Sequence, residues 1–176
     1  MRRTVLLCLA FLALGFTALP LSAQLADLKD TRTPEEKWAR SMFIGDFAWI
    51  SLVAHGRSMG LTAEEVGRWL GDFAAPSWGA PDSRSPSSFV EGMLMNYSLW
   101  DGFQFEILAE SDIQVRGRMN IPYAGRFGDA GEVWGVSLGE FIQLWTSAYQ
   151  ETAGQVGLEM EHRVDGDWIE FTVTAR

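Results

Sequence analysis

The sequence predicts an α+β fold in which a helical N-terminal half is followed by a hairpin, a helix and a second hairpin that form an antiparallel sheet. Helix-start signals occur four times between residues 33 and 140, each a serine or threonine with suitable residues after it. Alternating apolar and polar residues mark two segments after residue 102, and each contains a turn signal. Helices and strands segregated in this way favour a layer of helices on one antiparallel sheet.

The first helix has the clearest start. Residues 33–36 supply a threonine cap, a proline at the first helical position and a glutamate three residues after the cap. Residues 38–55 are apolar on nearly every face, which predicts a central, buried helix. We expect this helix to end near Gly56 or Gly60, because glycine is common just after helix ends.

Three further helices follow from the same signals. A second capping box and an amphipathic pattern, with Leu61 and Val66 placed for a hydrophobic staple, indicate the next helix. The predicted helices begin at residues 61–64, at Ser85 or Ser88, and at Ser137, and they run to about residues 73, 100 and 154 respectively.

The strands come in two pairs. Residues 103–107 and 113–118 alternate between apolar and polar side chains around Ser111-Asp112, which predicts a hairpin with one apolar and one charged face. Residues 158–164 and 169–173 alternate around Asp165-Gly166, and Asp-Gly is a strong hairpin signal. The second half of the chain is therefore expected to form the sheet.

The N-terminus predicts export. Residues 1–23 combine two arginines, a short apolar run and small residues before Gln24, a pattern typical of a secretory signal peptide. Residues 24–32 would then be a short extension and residues 33–176 a single domain, located in the periplasm or secreted. The only cysteine, Cys8, would leave with the signal peptide, so the mature domain would have no disulfide and no thiol nucleophile.

Charge and histidine content exclude several classes of partner. The chain has a formal net charge of −9, and removing Arg2 and Arg3 makes the mature domain more acidic. Such a field repels nucleic acid and anionic membranes, so we expect neither a nucleic-acid partner nor stable membrane insertion after cleavage. His55 and His162 lie far apart in the sequence, and we expect no metal and no cofactor.

Two long connections, residues 74–84 and 120–136, carry aromatic residues. Loops of this length inside a compact domain are often functional, and aromatic content argues against disorder. These segments are expected either to close over a pocket or to patch the core. The candidate ligand contacts are Trp49, Trp78, Tyr123, Arg126, Phe127 and Trp134.

Residues 103–173 resemble the vinyl-reductase-type small-molecule-binding domains and the related aminothiazoline-carboxylate hydrolase-like proteins. The resemblance consists of a hairpin, the stretch Asn120-Ile121-Pro122-Tyr123, an amphipathic helix over residues 137–153, a break at Gly154 and Gly157, and a closing hairpin. It implies a pocket for a small apolar molecule between helices and sheet. Members of that family often carry cysteines before the proline and in the last hairpin, which this chain lacks, so thiol or metal chemistry is not implied here.

Two polar residues inside apolar segments are candidate acid–base groups. Asp46 shares a helical face with Met42 and Trp49, and a buried carboxylate must be paired or have a raised pKa. It could orient a ligand, transfer protons, or accept a hydrogen bond from a tryptophan N–H. His162 alternates with apolar residues and would point inward, as a core residue or as a catalyst. If both converged with Glu91, they would resemble a hydrolytic acid–base site.

These features together predict an exported domain that binds a small, largely apolar or aromatic ligand between the helices and the sheet. One alternative is a hydrolase-like enzyme that uses Asp46 and His162 for acid–base catalysis. Another is a protein-interaction module of an envelope assembly with exposed aromatic anchors, for which a homodimer is possible. The mature chain shows no nucleophile motif and no metal motif that would identify a reaction.

Overall fold

A computed structural model describes residues 32–80 and 83–176 of the chain. The predicted signal peptide, and the predicted extension as far as residue 31, lie outside the described residues. The chain divides into two compact units, Met1–Lys37 and Trp38–Arg176. Apart from the start of the first helix, the fold and the sites below concern the second unit.

The fold is α+β, as the sequence predicts. Four α-helices, six strands and one short 3₁₀ helix form the described part of the chain. They are α1 (Pro34–Ser58), α2 (Ala63–Trp78), α3 (Pro86–Tyr97), β1 (Phe105–Glu110), β2 (Gln114–Asn120), the 3₁₀ helix (Ala124–Arg126), β3 (Glu132–Val133), β4 (Val136–Ser137), α4 (Leu138–Gln155), β5 (Leu158–Asp165) and β6 (Trp168–Ala175). The four helices and the four strands of the two predicted hairpins follow one another in the expected order, whereas the 3₁₀ helix and the short β3–β4 hairpin occur where the sequence predicts only a long connection.

The helix starts coincide with the capping signals. At the start of α2, the amide of Glu65 donates to Thr62 Oγ1 at 3.1 Å, and the amide of Thr62 donates to Glu65 Oε2 at 2.8 Å. Ser137 and Glu140 make the same reciprocal pair at the start of α4. Ser85 caps α3, which decides between the two predicted starts of that helix. Each box satisfies backbone donors that a helix start would otherwise leave unpaired.

The main sheet has the strand order β1-β2-β6-β5, and all three neighbouring pairs are antiparallel. Val115 on β2 pairs with Val173 on β6, and Met119 pairs with Ile169, all on the buried face. Helix α3 packs on β2 and β6, α4 packs on β5, and α2 packs on α4. The core therefore lies between the helices and the two central strands.

Helix α1 is not buried on all sides, which corrects the prediction of a central helix. Its buried residues are Asp46, Ile50, Val53 and Gly56, which form one stripe along the helix. Trp38, Phe43, Ile44 and Phe47 are each 44–55% exposed. The apolar pattern cannot distinguish a helix inside the core from a helix on its edge, where only one face finds a partner.

Helix α2 extends beyond its predicted end. It continues from Phe73 through Pro76 to Trp78, although proline removes an amide donor from the last turn. The Trp78 ring packs against Phe89 and Tyr149, with ring centroids 5.0 and 5.8 Å apart. This packing stabilises the last turn, so Trp78 belongs to a helix and not to a loop. In the described part of the chain, no helix combines the length and apolar character that crossing a membrane requires.

Candidate functional site

Asp46 is the only buried carboxylate in the described part of the chain. It lies on the inner face of α1 and is 4% exposed. Trp100 Nε1 donates to its Oδ1 atom at 2.9 Å, and Arg126 Nε donates to its Oδ2 atom at 3.0 Å. Both carboxylate oxygens are thus engaged, and the cation offsets part of the cost of burying the charge.

Two local structures present the partners of Asp46. Trp100 lies in the turn after α3, where its amide donates to the carbonyl of Tyr97 at 3.2 Å. Arg126 is the last residue of the 3₁₀ helix, where its amide donates to the carbonyl of Tyr123 at 2.9 Å. Asp46 therefore ties α1 to two connections that are distant from it in sequence.

Asp46 orients the guanidinium of Arg126 but bonds to only one of its three nitrogens. Its side chain is 43% exposed, and only Nε contacts Asp46. Within the described residues, its two terminal nitrogens make no hydrogen bond. Arg126 thus presents a held, accessible pair of N–H₂ groups, the geometry that binds a carboxylate through two parallel hydrogen bonds.

A cavity of about 290 Å³ opens beside Arg126. Its apolar walls come from α1 and from the turn after α3, and Asp101 adds one carboxylate. The lining residues are Trp38, Ala39, Met42, Leu99, Trp100, Asp101, Pro122, Gly125 and Arg126. Its volume is just below the range that is usual for small-molecule sites, roughly 300–1,000 Å³, so it suits only a small ligand.

The sequence contained a signal for part of this site. Trp38, Met42 and Asp46 are spaced four residues apart and therefore share one helical face. The sequence pattern assigns Met42, Asp46 and Trp49 to this face, and the structure adds Trp38. Trp100 is not among the predicted ligand contacts, because nothing in the sequence indicates which indole N–H meets Asp46.

Only Arg126, among the six predicted ligand contacts, lines this cavity. Tyr123 and Phe127 are buried, and both pack on Phe141, with ring centroids 4.9 and 5.5 Å away. Trp78 is partly buried and packs against the core at the end of α2. Trp49 is partly buried and packs edge-on against Trp145, with ring centroids 5.0 Å apart. These four side chains fill or flank the core.

Trp134 occupies a different place from the other candidates. It is 52% exposed at the tip of the β3–β4 hairpin. Trp134 and Gly135 have φ angles of 52° and 72°, the left-handed pair that a tight two-residue hairpin turn requires. The indole contacts Phe47 of α1 edge-on, with ring centroids 3.6 Å apart. Trp134 is therefore part of the exposed aromatic surface of α1.

The three candidate acid–base residues do not form one hydrogen-bonded group. Asp46 bonds to Trp100 and Arg126. His162 lies on β5 opposite Phe171, is partly buried, and its Nδ1 atom has no hydrogen-bond partner within the described residues. Glu91 lies on α3, along a different cavity. Within residues 32–80 and 83–176, no group of three or more His, Cys, Asp or Glu side chains could hold a metal ion.

His162 should make stability depend on pH. Burial lowers the pKa of His162 from its usual 6.5, so the unfolded chain binds this proton more tightly than the folded chain. Its contribution to the free energy of unfolding is complete above about pH 6.5 and is lost as the pH falls through the folded-state pKa. Urea denaturation at several values between about pH 5 and 8 gives the free energy of unfolding as a function of pH. This free energy should rise less steeply with pH in H162Q than in the wild type. An equal dependence of the free energy of unfolding on pH in H162Q and in the wild type would contradict the assignment.

The tyrosines of the core supply no base. Burial raises the pKa of Tyr97 and of Tyr123, and it raises the pKa of Tyr149 to about 12. The side-chain Nδ2 of Asn96 donates to the Tyr149 hydroxyl at 3.2 Å. All three hydroxyl groups are protonated near pH 7, and the rings act as packing in the core.

Comparison with known proteins does not assign this chain to a family. No model of a protein family matches the sequence, and no curated protein is similar to it. The resemblance of residues 103–173 to small-molecule-binding domains stays a prediction. What the protein binds must be inferred from the geometry around Asp46 and Arg126.

Proposed function

We propose that the protein is a binding domain for a small monocarboxylate with an apolar or aromatic body, held in the cavity beside Arg126. One observation carries this proposal: Asp46 fixes Arg126 through Nε and leaves its terminal nitrogens open to the cavity side. A guanidinium presented in this way is suited to a planar carboxylate. The proposal narrows the predicted class of small apolar or aromatic ligands, bound in the periplasm or outside the cell.

The walls of the cavity suit an apolar body. Trp38, Met42 and Leu99 present apolar surface, and Trp100 adds an indole ring whose N–H is already bound to Asp46. An aromatic ligand can stack on an indole, which stabilises a complex by roughly 0.5–1.5 kcal/mol beyond simple burial. The small volume favours a single ring with a short carboxylate side chain.

Charge limits the ligand to one negative group. Asp101 lines the same cavity, and the chain has a formal net charge of −9. A dianion or a phosphate would be repelled by both. A hydrogen-bond donor or an ammonium group on the ligand would complement Asp101, so an aromatic amino acid fits the same pattern.

The proposed site differs in position from the pocket that the sequence predicts. It lies between α1 and the connections that follow α3 and β2, whereas the predicted pocket lies between the helices and the sheet. Binding is supported better than acid–base catalysis, because Asp46 uses both oxygens to hold Trp100 and Arg126. His162, its predicted catalytic partner, makes no hydrogen bond to it.

Calorimetric titration with phenylacetate, 2-phenylethanol and 2-phenylethylamine tests the proposal. We expect phenylacetate to bind and the other two, which match it in size, to bind at least tenfold more weakly. The R126K variant should lose at least tenfold in phenylacetate affinity, because lysine can pair with Asp46 but has no second pair of donors for the ligand. R57K is the control, since Arg57 is similarly exposed and ion-paired, to Glu140, away from the cavity.

Equal binding of phenylacetate and 2-phenylethanol, or an unchanged affinity in R126K, would contradict the proposal. Retention of the wild-type melting temperature by R126K would separate loss of binding from loss of fold. Phenylalanine should bind at least as well as phenylacetate if Asp101 contacts the ammonium group. A D101N variant should remove that advantage while keeping phenylacetate binding.

One observation favours the alternative of an interaction module. Phe43, Ile44 and Phe47 of α1 and Trp134 of the β3–β4 hairpin are all exposed apolar side chains. Exposed apolar patches are common at protein–protein interfaces. Light scattering on the purified domain distinguishes the two functions, because a module of this kind would form dimers or complexes without a small ligand.

A further inference from the structure

We propose a second binding site, for an apolar amphiphile whose polar head is uncharged or positively charged, in a groove between α3 and β1. The groove has a volume of about 660 Å³. Six apolar side chains line it, namely Val90, Leu94, Met95, Phe105, Ile107 and Val115. This site is independent of the Arg126 cavity, with which it shares no lining residue.

The groove exists because β1 lies beyond the helical layer. Helix α3 packs on β2 and β6, and β1 is the edge strand of the main sheet. All six residues of β1 are exposed, although the strand carries apolar side chains. Phe105 and Ile107 are 53% and 38% exposed, next to the buried Val90 and Val115. Apolar side chains of β1 are therefore exposed to solvent directly beside the packed core.

Size and shape favour a small molecule with a chain-like body. The volume is within the range of roughly 300–1,000 Å³ that is usual for ligand pockets. Residues of α3 form one wall and residues of β1 the other, and the groove between them is open to solvent. Burying alkyl carbon there would be favourable, because it removes the apolar surface of the chain and of the groove from water.

The rim determines which polar head the groove accepts. Glu91 and Glu110 both line it, and Ser87 Oγ donates to Glu110 Oε1 at 2.7 Å. Three further serines, Ser85, Ser88 and Ser98, add hydroxyl groups. None of the groove residues in the described part of the chain is basic. A fatty-acid carboxylate would therefore meet two like charges, whereas an alcohol or an alkylammonium head would meet hydrogen-bond acceptors and negative charge.

The two sites thus select opposite charges. Arg126 favours an anionic ligand in a small cavity, and the α3–β1 groove favours a neutral or cationic amphiphile in a larger one. A variant of one site should leave the other unchanged. R126K is therefore expected to bind alkyl chains as the wild type does, whatever its effect on phenylacetate.

The test is displacement of the neutral dye Nile red by a chain-matched series, dodecanol, dodecyltrimethylammonium and dodecanoate, with the alcohol kept below its solubility limit and the two ions below their micelle concentrations. We expect the alcohol and the ammonium to displace the dye at concentrations at least tenfold lower than the carboxylate. The M95K variant should weaken dodecyltrimethylammonium binding at least tenfold and strengthen dodecanoate binding. Met95 is 63% exposed, so the lysine can be accommodated without unfolding.

M59K is the matched control, because Met59 is 59% exposed and does not line the groove. It should bind all three compounds like the wild type. Equal displacement by the carboxylate and the ammonium would overturn the proposal, as would equal losses in M95K and M59K. A domain that binds no alkyl chain but dimerises, with dimerisation abolished by M95K, would assign the groove to a second copy of the chain instead.

Discussion

Replacing Arg126 by methionine is expected to lower the free energy of unfolding by about 3 kcal/mol. Methionine keeps an apolar stem of similar length but leaves the carboxylate of Asp46 buried without its cation. Removing one member of a buried ion pair costs about 3–5 kcal/mol, and the partial exposure of Arg126 places this pair at the lower end. Urea denaturation at pH 7 measures the loss, and the domain should still fold in the absence of urea.

A double-mutant cycle separates the ion pair from general damage to the site. Asp46→Asn keeps an acceptor for Trp100 and leaves Arg126 half exposed, so it should cost only about 1–2 kcal/mol. In the D46N background, the additional cost of R126M should fall to about 1 kcal/mol or less, because no buried charge then lacks a partner. If R126M costs the same in both backgrounds, Asp46 and Arg126 are not coupled.

Alanine at Gly67 or Gly71 is expected to destabilise the protein by about 2–3 kcal/mol each. Both glycines lie on α2 where it crosses α4. A Cβ atom at Gly67 would fall inside van der Waals contact of the Leu144 carbonyl oxygen, and one at Gly71 would do the same with the Ala148 carbonyl oxygen. Backbone atoms cannot turn aside as a side chain can, so the two helices would have to move apart.

Gly45→Ala is the matched control for this prediction. Gly45 also lies inside a helix, but a Cβ atom there would meet nothing within 4 Å. Alanine should therefore stabilise α1 by about 0.5–1 kcal/mol through helix propensity alone. Thermal and urea denaturation of G45A, G67A and G71A measure the contrast. An increase in stability for G67A or G71A would mean that the helices are not in backbone contact.

Local signals in the sequence predicted the fold class and most element starts. Thr62 with Glu65, and Ser137 with Glu140, form the capping boxes that their spacing indicates, because both members of each box lie within one turn of helix. The hairpin predicted around Asp165-Gly166 also forms, but Asp165 pairs with Trp168, so the two turn residues are Gly166 and Asp167. Helix α2 was predicted to end too early because the packing of Trp78 on distant residues, and not local propensity, determines its last turn.

The site could be predicted only in part, because its contacts are not local. Asp46 was correctly recognised as a carboxylate in need of a partner, and an indole N–H was among the options. Its partners, however, are 54 and 80 residues away along the chain. Eight tryptophans could have supplied the indole, and no pattern distinguishes Trp100 among them. The groove was not predicted at all, since an alternating strand does not show whether a helix covers it.

The position of β6 has a consequence for how the chain folds. The last strand to be synthesised lies inside the sheet, between β2 and β5, and α2 finds its partner α4 across the whole first hairpin. Contacts so remote in sequence must close large loops before they contribute free energy, which slows folding. The β1–β2 hairpin therefore lacks its sheet neighbour β6, and α2 lacks its main partner α4, until most of the chain is made. We expect this domain to fold in one late, cooperative step and not element by element as the polypeptide emerges.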